Sequence, residues 1–191
     1  MHIVFGGSFN PPTKAHVHIV KFLLNRFPEA SVIVVPVGDD YRKPELAPFL
    51  MRMEMLTLAF QGENRVMISS IEDERGYQGT LRTLDDLSKH YQDLHFVIGS
   101  DNISDLPNWI NYRDLLAKYP FIVMKRQGFI DHEEAESLLK DIPHRFIYVD
   151  FDDPSASTKV RKNIDKYHHL LDDNVYEYIK KHHIYEVKSH V

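Results

Sequence analysis

The feature that most constrains this chain is an alternation of two patterns. Short apolar, β-branched runs recur at residues 3–5, 32–37, 66–71, 95–98, 121–124 and 145–149, each of the length of a β-strand. Between them, Val17, Val20, Leu24 and Phe27, then Met53, Leu56 and Phe60, then Leu81, Leu84, Leu87 and Tyr91 fall at helical spacing and predict amphipathic helices. Runs that are apolar throughout are strands covered on both faces, which is what a parallel sheet flanked by helices requires. The expected architecture is α/β, a doubly wound parallel sheet. It ends in a helical segment over 173–182, where Val175, Tyr178 and Ile179 share one face and dock back onto the body. A length of 191 residues suits one domain and is cramped for two. No repeat, low-complexity tract or linker divides the chain, so a single domain over 1–191 is expected.

Composition narrows the function. Acidic residues number 28 against 23 basic ones, for a formal charge of −5, which argues against a protein that grips duplex nucleic acid through its phosphates. A local basic pocket for a small phosphorylated ligand is still compatible with that balance. Cysteine is absent, which excludes disulfides, thiolate nucleophiles and zinc-thiolate sites and agrees with a reducing compartment. The opening MHIVFGG lacks the basic start of a signal peptide, and no apolar run approaches the roughly 20 residues of a membrane helix. The expectation is a soluble cytoplasmic protein with small-molecule partners, no nucleic acid and no membrane; a homo-oligomer is left open.

Open parallel sheets bind ligands outside the carboxyl ends of their strands, where strand order reverses. The segments after the first, second, fourth and sixth runs are therefore the places to look. After the first comes Gly6-Gly7-Ser8-Phe9-Asn10-Pro11-Pro12-Thr13-Lys14-Ala15-His16. Its glycines allow a tight turn and close backbone approach, and the helix that follows offers free N–H groups and a positive dipole end to an anion. This is a phosphate site, although it fits neither a Walker loop nor a GxGxxG fingerprint. Taken alone, such a turn is equally an ordinary strand-to-helix connection. Near the other end, Ser157 or Thr158 at a helix start can cap the helix and offer hydroxyls to an anion, with Arg161 one turn on to fork onto the same phosphate.

The first turn resembles the GxFxPxTxGH signature of the nucleotidyltransferase superfamily, which includes nicotinate mononucleotide and pantetheine-phosphate adenylyltransferases. Gly7, Phe9, Pro11, Thr13 and His16 fit it, and Ala15 stands where Gly is usual. Residues 155–161 resemble the ISSTxxR element of the same superfamily through Ser157, Thr158 and Arg161, with Ala156 replacing one Ser. The resemblance implies a Rossmann-like fold, ATP as substrate with Mg2+, and a set of site residues. Thr13, His16, Lys43 and Arg161 would be catalytic, His16 stabilising charge as the bond to pyrophosphate breaks; Gly7, Ser8, Phe9, Gly99, Asp101, Ser157 and Thr158 would bind ATP.

The middle of the chain looks like the pyridine nucleotide branch. Gly99, Ser100, Asp101 and Asn102, followed by Trp109 and Tyr112, resemble its GADxxxxxxxW element. Asp101 is suited to ribose hydroxyls, and the sole tryptophan offers a flat face to a pyridine ring. A helix start around Asn108 would bring free N–H groups to a ring carboxylate. Residues 36–43, followed by Arg52, Met53 and Met55, look like the family's phosphate-binding loop and following helix. Lys43 matches the family lysine, Arg42 stands where His is common, and the irregular stretch 38–48 is a candidate lid. Thr83 and Leu84 match a TxDTL element in which Arg82 replaces the Asp; Thr83, Trp109 and Tyr112 would bind the mononucleotide.

Among twelve histidines, the pairs His16/His18, His168/His169 and His182/His183 do not share a helix face, so no metal site is expected. The reaction implied is transfer of AMP from ATP to nicotinate mononucleotide, in NAD biosynthesis. The attacking 5′-phosphate is already an anion, so no general base is required. Two alternatives remain at this point: a pantetheine-phosphate adenylyltransferase, or a nucleotide-binding regulatory protein that keeps the fold without turnover.

Overall fold

A computed structural model describes residues 1–41, 43, 45–153 and 156–186; Arg42 of the expected lid lies outside them. The chain runs β1 (His2–Gly7), α1 (Lys14–Arg26), β2 (Ser31–Pro36), α2 (Phe49–Ala59), β3 (Val66–Ile68), α3 (Ile71–Arg75), α4 (Thr80–Leu87) and β4 (Leu94–Gly99). A 3-10 segment follows at Ser100–Asn108, then α5 (Tyr112–Lys118), β5 (Phe121–Met124), α6 (His132–Leu138), β6 (Phe146–Val149), α7 (Ser157–Lys162), α8 (Ile164–Tyr167), a second 3-10 turn and α9 (Asp173–Lys181).

The six strands form one parallel sheet in the order β3-β2-β1-β4-β5-β6, with Ile3 opposite Val32 and His95, and Phe96 opposite Phe121. The order reverses between β1 and β4, so a crevice opens at their carboxyl ends. One sheet face packs Val4, Ile33, Phe96, Ile98 and Val123 beneath α4, α5 and the first 3-10 segment; the other packs Ile3, Val32, Val34, Val97 and Ile122 beneath α1 and Leu56 of α2. Alternate side chains of every strand thus enter opposite cores, each fully buried aliphatic contributing about 1.5–3 kcal/mol. A third cluster joins Met55 of α2 to Val160, Val175 and Ile179, and so α9 docks on α2 as the tail's apolar face predicts.

Three local expectations are corrected. The run 66–71 is a strand only to Ile68; Ser69 and Ser70 break it and Ile71 opens α3. Position 108 is a helix end: the 3-10 segment finishes there, and α5 begins only after Asn111, which is left-handed at φ 53°. The residue at the cap of α7 is Ala156, so neither Ser157 nor Thr158 caps that helix.

Candidate active site

β1 delivers its two glycines to the crevice, and the chain then turns through Ser8–Pro12 with Phe9 at φ 45°. Thr13 is the extended cap of α1, and His16 sits in the helix's first turn. The Thr13 N–H donates to His16 Nδ1 at 2.9 Å, and the Thr13 hydroxyl lies 3.0 Å from the same nitrogen. A backbone N–H can only donate, so Nδ1 is the acceptor and a neutral ring carries its proton on Nε2. Burial, then the cation of Arg126, push the His16 pKa down from 6.5 to about 4; the imidazole is a neutral donor at physiological pH. Phe9 meets it edge-on at 5.1 Å and fixes the ring plane.

His16 lines a cavity of about 330 Å³ together with Gly7, Ser8, Phe9, Gly99, Asn102, Trp109 and Arg126. A Cβ at Gly99 would lie 2.1 Å from Asp101 Oδ1 and 2.9 Å from Arg126 Nε, so a side chain there would displace both. Arg126, directly after β5, pairs with Asp152 at 2.8 Å, while its Nε is buried without a hydrogen-bond partner among the described residues, 3.6 Å from Asp101. Above the turn, Lys43 Nζ donates to Ser8 Oγ at 3.0 Å, and burial followed by the nearby Arg161 lowers its pKa. Arg161 donates to the Asn10 carbonyl at 2.7 Å and faces Glu45 at 3.4 Å. Ser157 Oγ donates to the Pro11 carbonyl at 2.8 Å. Cationic groups therefore surround the first turn from three separate segments.

A second cavity of about 270 Å³ adjoins the first and shares Gly6, Gly7, Phe96, Asn102 and Trp109 with it. Its other walls include Tyr41, Glu72, Tyr77, Thr80, Thr83 and Asp105. Glu72 is 6% exposed and accepts from the Thr83 hydroxyl at 2.8 Å; burial, the largest influence, pushes its pKa up. Asp105 accepts from Trp109 Nε1 at 3.3 Å and from Asn108 at 2.8 Å.

The structure thus gathers His16, Gly7, Ser8, Phe9, Gly99 and Trp109 around one cavity, with Lys43 over Ser8. Thr83 and Trp109 line the other. Thr13, 2% exposed, sits behind His16, and Asp101 sits at the rim beside Gly99. Arg161 and Thr158 stand across the turn, 3.5 Å from each other. Tyr112 packs on the core side and lines neither cavity. Asn10 and Arg52 were expected only as members of the first turn and of the helix after the phosphate-binding loop; Arg126, Glu72 and Tyr77 were not among the expected site residues. The Lys125-Arg126 pair after the fifth run was the available signal for one of them. Among the described residues, no group of three or more His, Asp or Glu side chains is arranged to hold a metal ion, and no helix is long and apolar enough to cross a membrane.

A parallel sheet whose switch point carries a glycine turn, a neutral, half-buried histidine and converging cations defines a nucleotide-binding α/β protein. Residues 4–163 match the family described as Cytidylyltransferase-like, and the chain belongs to it. A probable nicotinate-nucleotide adenylyltransferase of Acholeplasma laidlawii is 35% identical over 97% of this chain and 98% of its own length; one of Methylacidiphilum infernorum is 30% identical over 95% and 90%. Among solved structures, the Plasmodium falciparum nicotinic acid mononucleotide adenylyltransferase complexed with NaAD matches with a TM-score of 0.76 at 24% identity, over 96% of both chains.

Proposed function

We propose that this chain is a nicotinate-nucleotide adenylyltransferase, which transfers AMP from ATP to nicotinate mononucleotide in NAD biosynthesis. One observation carries the reading: relatives of that name align over nearly the whole chain, and the aligned length includes two adjoining cavities, one cationic and one aromatic. The mononucleotide 5′-phosphate oxygen attacks the α-phosphorus of ATP; the new P–O bond forms as the bond to the bridging oxygen breaks, and pyrophosphate leaves with those electrons. Catalysis then reduces to alignment and to stabilising charge on the leaving group. Neutral His16 donates from Nε2, while Lys43, Arg126 and Arg161 neutralise the triphosphate. Mg2+ would enter as the counter-ion of ATP and would supply further neutralisation of charge on the phosphate oxygens. We assign the reaction to the cytoplasm, where ATP is available.

The ring enters beside Trp109. In place of a helix start near Asn108, the donors for a ring carboxylate are the first N–H groups of α4, whose first residue Thr80 lines this cavity. An amide would set a donor against a donor, at a cost of about 1–3 kcal/mol, or a preference for nicotinate of roughly 5-fold to 150-fold in kcat/KM. The test is pyrophosphate release with Mg·ATP and nicotinate mononucleotide, nicotinamide mononucleotide or phosphopantetheine. Nicotinate mononucleotide should be used best and phosphopantetheine not at all. Equal use of both pyridine forms would remove the carboxylate assignment, and turnover of none would remove the enzyme.

A further inference from the structure

α2 carries a charge where its pattern asks for an apolar residue. Arg52 is 0% exposed, on the same buried face as Met55 and Leu56. A buried cation is costly unless every donor is used, and a hydrophobic residue of like volume commonly replaces a buried ion without loss of stability. The core therefore does not need this charge. Its bonds all go elsewhere: Nε donates to the Ala47 carbonyl at 2.8 Å, one terminal nitrogen to the Ser8 carbonyl at 3.1 Å, and the other to Asp39 at 3.3 Å. One planar guanidinium thus holds both ends of the segment 38–48 and the first turn together.

The atoms it holds lead to the triphosphate. Ser8, fixed through its carbonyl by Arg52, contacts Lys43 through its hydroxyl. Asn10, also 0% exposed, makes a parallel clasp: its Nδ2 donates to the Glu45 carbonyl at 2.8 Å and its Oδ1 accepts from the Ala47 N–H at 3.0 Å. With both ends of the loop tied to the turn, Lys43 is held above the same backbone that presents His16. We propose that Arg52 is a positioning residue for ATP, which sets Lys43 against the first turn and touches no reacting atom. This rests on the adenylyl-transfer reading for its substrate, ATP.

The test is a double-mutant cycle of Arg52→Lys and Lys43→Ala. Lysine keeps the charge and most of the stem, but a point ammonium cannot serve three divergent acceptors. Arg52→Lys is expected to lower kcat/KM for ATP by about 10-fold while the mononucleotide KM stays within about 2-fold, and to add nothing once Lys43 is gone, the mark of two residues acting as one unit. Losses that multiply in the double variant, no effect of Lys43→Ala, or a folded Arg52→Lys protein equal to the parent would each overturn the proposal. If Arg52→Lys does not fold, Asp39→Asn replaces it in the cycle; Asp39 is 55% exposed, and its smaller loss, about 3-fold, must likewise vanish in the Lys43→Ala background. The same cycle read as ATP dissociation constants, through the fluorescence of Trp109, needs no turnover. Coupling seen in binding with no product formed would leave Arg52 in its role and remove the adenylyltransferase instead.

Discussion

The two adjoining cavities share a wall and differ in almost everything else. The one at the first turn is lined by glycine backbone, one neutral imidazole and the cation of Arg126, and faces Lys43; the other is lined by Tyr41, Tyr77 and Trp109 with two carboxylates. The carboxylates of the second are tied down, Glu72 to Thr83 and Asp105 to Trp109 and Asn108, and its three rings are the broad faces left to a ligand. Under the proposed reaction one crevice would sort the two halves of a nucleotide. Charge would handle polyphosphate, where bonds are made and broken, and ring faces would handle the base, which only has to be held.

The comparison can be broken most sharply at His16. Replacement by alanine should lower kcat by about 100-fold to 1,000-fold, the loss seen when one preorganised donor to developing charge is removed, equivalent to roughly 3–4 kcal/mol. The mononucleotide KM should stay within about threefold of the parent if the cavities are functionally distinct. A variant that turns over like the parent would take the histidine out of the reaction. Its depressed pKa adds a second, slightly smaller effect on stability. The unfolded chain binds a proton at this ring near pH 6.5 and the folded one only near pH 4, so stability is complete above pH 6.5 and is lost as the pH falls toward 4, by roughly 3 kcal/mol. Urea unfolding at pH 7.5 and pH 4.5 should show a steeper acid loss for the parent than for His16→Asn; identical slopes would mean that the ring is not held neutral. The smallest effect belongs to the aromatic side. Trp109→Ala should forfeit about 0.5–1.5 kcal/mol of stacking, roughly 2-fold to 10-fold in the mononucleotide KM, with less change for ATP. Equal rises in both KM values would mean that Trp109, in the wall the cavities share, serves both substrates alike and is not specific to the ring.

Much of this arrangement was readable from residue order, and the reason differs by region. The sheet was legible because two-sided burial leaves an unbroken apolar run, and the first turn because tight backbone needs glycine and a helix entry needs a cap. Arg126 was passed over, although Gly128 at φ 80° marks a turn just after it, because the expected ligand segments followed the first, second, fourth and sixth runs; only its spatial neighbours Asp101 and Asp152 give it meaning. Arg52 was named only through the resemblance, in the helix that follows the phosphate-binding loop, since spacing reports which positions face inward but not that a buried one carries a charge. The helix start expected near Asn108 is a helix end because the residues between Gly99 and Trp109 form a 3-10 segment, whose threefold spacing is hard to tell from a loop over so short a stretch.

The hydroxyl of Tyr185 donates to Asn10 Oδ1 at 2.5 Å, across 175 residues of sequence. That single bond sets an order of events in synthesis. The first turn leaves the ribosome well before Tyr185, so its asparagine gains this partner only once translation has passed position 185. Closing so long a loop is slow and comes late, so a nascent chain with its sheet already formed should still lack a finished nucleotide site, and premature release would yield a folded body with an incompletely fastened turn.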